Sequence, residues 1–310
     1  MKLTDCNNVS DLRRLAKRNL PWPIFNYLDG GADDEIALRR SVSAFDDYEL
    51  LPTHLSDISE IDLRTTVLGQ DIEWPVFLSP TGASRLFHHD KEPAVARAAH
   101  QFGTIYSLST LGTTTIEDVA STTPGPKMYQ IYVFKDRGIT RDFVARCKES
   151  GYAAICLTVD TQVAGNRERD LVTGFGVPPK WKLRSVLSYV RHFPWTYRAI
   201  VNGGFEMVNV TSSPGVSTEI NEGVIEYVNS QFDRTLSWKD VEWLAGQWDG
   251  PLVIKGIQTV GDARKAVDCG ATAVMLSNHG GRQLESSPAP VDCIAPIADA
   301  LRDKLEIICD

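Results

Sequence analysis

From residue 75 onward the apolar positions of this 310-residue chain fall into a repeating rhythm. Short apolar runs recur at 76–79, 104–108, 128–133, 154–159, 252–257, 273–277 and 306–309, each the length of a buried strand. Most neighbours are separated by stretches with helical spacing of apolar residues, at 93–102, 139–150, 260–269 and 291–301. Such alternation predicts parallel strands joined by right-handed crossovers. Seven units with no GxGxxG after any strand favour a TIM (β/α)8 barrel over a doubly wound sheet. A barrel closes on its eighth strand, and the sequence stops at the seventh run. The expectation is therefore a single domain over 1–310 whose barrel, 75–310, is truncated after strand 7.

Two stretches depart from the rhythm. Residues 9–29 carry a stripe of Leu12, Leu15, Leu20, Ile24, Phe25, Tyr27 and Leu28, broken by Pro21 and Pro23, which predicts an N-terminal helical cap within 1–70. Gly30 and Gly31 then precede an acidic helix start running through Ala37, Leu38 and Val42. After the fourth run, about ninety residues separate Asp160 from Leu252, far more than a crossover needs. This predicts an insert or lid over 171–235, followed by the true crossover helix at 236–244 with Ser237 as N-cap and Asp240 three residues on. Within the insert, 178–202 holds Lys180, Lys182, Arg184, Arg191 and Arg198 with no acid, and Leu183, Val186, Leu187 and Val190 share one helical face. Trp181, Phe193, Trp195 and Tyr197 lie nearby. That pattern fits a membrane-surface contact, or a lid helix packed on the barrel or on another subunit.

Composition narrows the classes. With 43% hydrophobic and 23% charged residues the chain is an ordinary globular one, and a net charge of −8 argues against nucleic-acid binding. Six scattered cysteines, with no CxxC pair or metal-ligand spacing, read as reduced thiols and predict no metal site. No apolar run approaches membrane-spanning length, and the first residues show no secretory leader, so the expected location is cytoplasmic, with a possible contact at the inner face of the membrane.

In barrel enzymes chemistry gathers at the C-terminal ends of the strands. Those ends carry Pro80-Thr81-Gly82, Ser109, Gln130 with Tyr132 on the same strand face, Thr158 with Asp160 and then Arg167, Lys255, Ser277, and finally Asp310. After the sixth run stands Leu276-Ser277-Asn278-His279-Gly280-Gly281-Arg282-Gln283, with an imidazole, a guanidinium and adjacent glycines. An imidazole takes a proton near neutral pH and a guanidinium holds a carboxylate through two parallel hydrogen bonds. These eight residues alone fit either a base and anion clamp facing one small acid, or a solvated turn.

The set as a whole resembles the FMN-dependent α-hydroxy-acid dehydrogenases and oxidases, a family that includes glycolate oxidase, flavin-containing L-lactate dehydrogenase and mandelate dehydrogenase. The resemblance rests on Tyr27-Leu28-Asp29-Gly30-Gly31-Ala32, Ser79-Pro80-Thr81-Gly82, Tyr129-Gln130-Ile131-Tyr132-Val133, Leu157-Thr158-Val159-Asp160, Val253-Ile254-Lys255-Gly256 and, most specifically, Ser277 to Gln283. It implies oxidation of an L-2-hydroxy acid to the 2-keto acid with electrons passing to FMN. By the same resemblance His279 is the base, acting on carbon or on oxygen, Asp160 orients it, and Tyr132 bonds the reacting oxygen. Arg282, helped by Arg167 and Tyr27, holds the substrate carboxylate. Pro80, Thr81, Gly82, Ser109, Gln130, Thr158, Lys255, Ser277 and Asp310 contact FMN. The family's phosphate grip lies on a turn and strand that would follow Asp310. Leu111 stands where glycolate oxidase has an aromatic, and Gly82 with the basic insert resembles the membrane-associated lactate and mandelate dehydrogenases. L-lactate as substrate, a quinone or cytochrome as acceptor, and a homotetramer are the expectations; an oxygen-reducing oxidase and a catalytically silent truncated copy are the alternatives.

Overall fold

The computed structural model describes residues 2–176, 180–201, 205–213 and 231–310. Its cap consists of α1 (Val9–Asn19), α2 (Trp22–Asp29) and α3 (Ile36–Ser43). α1 begins where the Asn8 side chain accepts from the Asp11 N–H, and α2 begins with Pro23 in its first turn, where the missing N–H has no helical partner to lose. A hairpin follows, β1 (Thr65–Val67) and β2 (Gln70–Ile72), turning at Leu68-Gly69. Its three-residue strands are too short to show a period, and the sequence reading missed them.

The main sheet holds β3 (Leu78–Thr81), β4 (Tyr106–Ser109), β5 (Lys127–Ile131), β6 (Ala154–Thr158), β7 (Leu252–Ile257), β8 (Ala273–Leu276) and β9 (Glu306–Cys309), all parallel and neighbours in chain order. All seven expected runs are present, with ends shifted by a residue or two. The first starts at Leu78 because the Val76 N–H bonds the Trp74 carbonyl in a local turn. Helices α4 (Lys91–Gln101), α5 (Ile116–Thr122) and α6 (Arg137–Glu149) form crossovers; α5 escaped the sequence reading because only Ile116 and Val119 bury along it. The insert carries α7 (Glu168–Thr173), α8 (Leu183–Arg191), α9 (Phe193–Val201) and α10 (Val208–Thr211). Then come α11 (Trp238–Ala245), with the expected Ser237–Asp240 capping box, α12 (Val260–Asp268) and α13 (Ile294–Leu301). α13 starts at Ile294 rather than 291 because a 3₁₀ turn, Pro290–Cys293, precedes it.

The sheet curls. The Ser79 hydroxyl on β3 hydrogen-bonds the Asp310 carboxylate just past β9, and Glu306 on β9 accepts from the Leu68 N–H at 2.8 Å. Between these two outer strands lies a cavity of about 910 Å³ lined by Val76, Phe77, Ser79 and Ile307 among others, so β3 and β9 face each other without ladder bonds. This is the TIM-barrel arrangement with seven paired strands.

Alternation along the strands sorts the side chains. Tyr129, Ile131, Ile155, Leu157, Ile254, Val274 and Leu276 pack outward under the helices. Met128, Ala154, Cys156, Val253, Ala273 and Met275 point inward and cluster with Leu68 and Ile72 of the hairpin, which plugs the barrel floor. Continuing each inward row toward the strand end brings Gln130, Thr158, Lys255 and Ser277 to the rim, in a register that sets Thr158 opposite Lys255. Burial pushes the Cys156 thiol up to about 12, so it stays neutral as part of this apolar floor.

Where the sequence predicted one helix in 178–202 there are two, α8 and α9, meeting at His192; residues 178, 179 and 202 lie outside the described residues. Pro194 sits in the first turn of α9, where proline is tolerated. No helix of the described residues is long and apolar enough to cross a membrane.

Candidate active site

After β8 the backbone enters a left-handed turn, with φ of +59° at His279, +63° at Gly280 and +67° at Gly281. The glycines adopt this freely; at His279 it costs about 1 kcal/mol. Side-chain bonds hold it: the His279 N–H donates to Ser277 Oγ and the Gly281 N–H to Asn278 Oδ1, both at 3.0 Å. Asn278 is itself anchored through Nδ2 to Ser41 Oγ at 2.8 Å. The cap docks on the same turn, since the Ala32 N–H donates to the Gly281 carbonyl at 2.9 Å and a Cβ on Gly281 would lie 2.3 Å from the Leu38 nitrogen.

The turn aims His279 at Asp160 beyond β6, with Nδ1 2.9 Å from Oδ1. Gly256 on β7 makes room, because a Cβ there would stand 2.8 Å from the Asp160 Cβ. Tyr132 is buried beside them, edge-on to Phe232 at 5.1 Å. Burial and then the Asp160 charge raise its pKa, so its hydroxyl keeps its proton.

Arg282 donates to the Gly30 carbonyl at 2.6 Å and lies over the Tyr27 ring at 5.2 Å; Arg167 lies over the same ring at 5.7 Å. Tyr27 also stacks on Phe175 at 4.5 Å. Burial first, and then the Arg167 charge, lower the Arg282 pKa, while Tyr27 and Asp170 oppose the fall. Two guanidiniums sharing one ring in a partly dry place form a site that an anion stabilises. Asp170 approaches Arg167 Nε only to 3.9 Å, and burial raises its own pKa.

A second group gathers around Lys255, which donates to Ser277 Oγ at 2.6 Å and pairs with Asp310; Ser277 Oγ also donates to Asp310 Oδ2 at 2.6 Å. Burial disfavours the Asp310 charge, but Lys255 and the bonds from Ser277 and Ser79 outweigh it and keep the carboxyl below its ordinary range. On the next strands Ser109 Oγ donates to Gln130 Oε1 at 2.9 Å. Four buried polar atoms in this region, Ser107 Oγ, Gln130 Nε2, Thr158 Oγ1 and Asp160 Oδ2, have no hydrogen-bond partner among the described residues. Buried polar atoms are rarely left so, and a row of them marks a place for a ligand with its own donors and acceptors. Pro80, Thr81 and Gly82 end β3 alongside, and a Cβ on Gly82 would lie 3.0 Å from the Leu111 Cβ.

Every residue predicted for the site thus falls into one of these groups. The sequence reading included Gln283 in the motif but gave it no role; its Nε2 donates to the Asp160 and Val163 carbonyls at 3.0 Å while Oε1 accepts from the Gly165 N–H at 3.2 Å. It clamps the loop bearing Arg167 to the turn bearing His279. The sequence reading missed Glu285, which caps α3 through the Ala37 N–H at 2.9 Å. Both stand within a few residues of His279, but no local spacing announces their partners.

The chain is similar to known proteins along nearly its whole length. The family model described as FMN-dependent dehydrogenase matches residues 16–310. A Mycobacterium tuberculosis protein assigned by name to L-lactate dehydrogenase is 40% identical over 303 residues, which is 97% of this chain and 72% of that protein. Glycolate oxidase 5 of Oryza sativa subsp. japonica is 38% identical over 306 residues, 99% of this chain and 77% of that one. Among solved structures, one described as the monotopic membrane protein (S)-mandelate dehydrogenase superposes with a TM-score of 0.92 at 32% identity, covering 98% of this chain and 80% of that chain.

Proposed function

The chain belongs to the FMN-dependent dehydrogenase family, and from that premise we propose that it oxidises L-lactate to the 2-keto acid and passes the electrons to a quinone or cytochrome rather than to oxygen. Its family is one of flavoproteins that oxidise 2-hydroxy acids with FMN as cofactor. The rim suits that cofactor. Its orphaned atoms on Gln130 and Thr158 complement the carbonyl and N–H edge of a flavin ring, and Lys255 offers a buried positive charge. Ser109, Ser277 and the Pro80-Thr81-Gly82 backbone complete the set of residues that would hold it. When bound, FMN supplies the two-electron acceptor.

The observation that carries the reading is the His279–Asp160 pair at 2.9 Å beside the Arg282, Tyr27 and Arg167 cluster. With Nδ1–H held by the carboxylate, Nε2 of His279 is left free to take a proton from the substrate, and Asp160 stabilises the imidazolium that results. Arg282 and Arg167 hold the substrate carboxylate, and the protonated Tyr132 hydroxyl donates to the substrate oxygen. L-lactate is favoured by the relative at 40% identity and by Leu111, a half-buried aliphatic residue against Gly82. A membrane acceptor is favoured by the exposed apolar residues of α8 and α9, such as Leu183, Leu187, Phe193 and Ile200, set among arginines.

The test is anaerobic mixing of the flavin-loaded protein with L-lactate, glycolate and (S)-mandelate in turn, then admission of air. The flavin absorbance should bleach fastest with L-lactate and recover slowly in air. Rapid recovery with peroxide release would make the protein an oxidase, and failure to bleach with any of the three acids would remove the reaction itself.

A further inference from the structure

Away from the strand ends, the end of α1, the loop after β3, and helices α8 and α9 enclose a cavity of about 470 Å³. Four arginines line it, Arg18, Arg85, Arg191 and Arg198, and among the described residues no carboxylate does. His88 and His89 stand at its edge, their ring nitrogens 3.5 and 3.4 Å from Asp90, and His192 faces it from the junction of the two helices. Arg85 is buried and donates to the Arg198 carbonyl at 3.3 Å, which ties the β3 loop to α9. Arg18 and Arg191 are exposed and form no ion pair among the described residues. In a chain of net charge −8 such a concentration of arginines is not a general property of the surface, and Arg18 and Arg191 place two exposed guanidiniums at the hollow.

Helix α9 explains the hollow's position. Pro194, Trp195, Arg198 and Ala199 turn toward the cavity, whereas Phe193, Tyr197 and Ile200, on its other side, are 65, 54 and 74% exposed. One short helix therefore separates a basic cavity from an apolar surface. A ligand matching both is an amphiphile with a phosphate near its apolar part. We propose that this cavity receives the phosphate headgroup of an acidic phospholipid while the outer faces of α8 and α9 rest in the acyl boundary. Arginine pairs suit phosphate oxygens through parallel hydrogen bonds, and an interfacial helix gains from both terms. The inference rests on the membrane contact proposed above and adds to it a stated headgroup chemistry and a defined cavity.

Sedimentation of the flavin-loaded full chain with vesicles tests it, comparing phosphatidylcholine alone with phosphatidylcholine containing phosphatidylglycerol, at fixed moderate salt. The wild type should bind the phosphatidylglycerol vesicles at least 10-fold more tightly, and the double variant Arg18→Gln/Arg191→Gln should lose most of that preference, about 10–30-fold, while keeping its phosphatidylcholine binding and flavin spectrum. The control Arg302→Gln/Lys304→Gln, which removes two cations elsewhere, should keep the preference; equal loss there would reduce the effect to bulk charge and overturn the cavity. Equal binding of both vesicle types by the wild type would overturn the headgroup site and leave the membrane contact standing. Binding to neither would remove the membrane contact and the lipid with it. A final arm titrates inorganic pyrophosphate: stabilisation of the wild type but not the double variant, with no vesicle preference, would assign the cavity to a soluble phosphate and overturn the lipid.

Discussion

His279 Nδ1 lies 2.9 Å from the Asp160 carboxylate, across 119 residues of chain and from beyond the C-terminal end of another strand. A carboxylate at that distance accepts the Nδ1 proton, which fixes the tautomer and leaves Nε2 as the base. Exchange His279→Gln should keep the flavin spectrum and slow its reduction by the hydroxy acid by about 10²–10⁴-fold, the range a positioned base supplies. Stopped-flow absorbance checks this, and normal reduction in the variant would take His279 out of the role.

Arg282 and Arg167 share the Tyr27 ring, and only a flat guanidinium can stack there while offering a fork to a carboxylate. Arg282→Lys keeps the charge and loses the fork. The expected result is a rise in KM of about 10–100-fold, one to two hydrogen bonds to a charged group, with a smaller fall in kcat. Steady-state kinetics with an artificial acceptor separates the two; a fall in kcat alone would place Arg282 elsewhere in the reaction.

Gly281 combines φ of +67° with a backbone that would put a Cβ 2.3 Å from the Leu38 nitrogen and 2.5 Å from the Leu38 Cα. Neither atom belongs to a flexible side chain, so Gly281→Ala must push α3 off the turn. A loss of about 3 kcal/mol or more is expected, seen as a lowered Tm and as proteolysis within 30–48. An unchanged Tm would show that the cap yields without cost.

Arg137 joins α6 to Asp233 at 2.7 Å and to Asp240, the capping residue of α11, at 2.6 Å. The Thr235 hydroxyl, the Thr235 N–H and then Arg137 hold Asp233 down to about 2, against burial. Its folded pKa is therefore below its unfolded one. The resulting stabilisation, about 1–2 kcal/mol with allowance for solvent, is complete above about pH 4 and is lost as the pH falls toward 2. Thermal unfolding between pH 5 and 2.5 should show this acid limb flattened in the Asp233→Asn variant. An identical limb in both proteins would assign the acid sensitivity to other carboxylates.

Much of this molecule is legible along the chain. Strands buried on both faces read as short apolar runs, and helices lying on a sheet read as amphipathic stretches between them, so alternation alone determined a parallel barrel. The two-residue period also placed Gln130 and Tyr132 on one face, and the strand ends named in advance are the ones that meet. Imidazole, guanidinium and paired glycines in one turn carry their chemistry in their residue types.

Pairing was decided by tertiary structure. No local spacing pairs Asp160 with His279, which only the family resemblance implied, or Gly30 with Arg282, because curling of the sheet and docking of the cap create those contacts. Gln283 acquires its clamp only when the loop after β6 folds over β8, and Lys255 meets Ser277 only through strand register. The basic cavity is of the same kind. Arg18, Arg85 and Arg191 are scattered cations in a sequence, and they become one site because helix packing, which acts between surfaces rather than along the chain, brings α1, the β3 loop and α8 together.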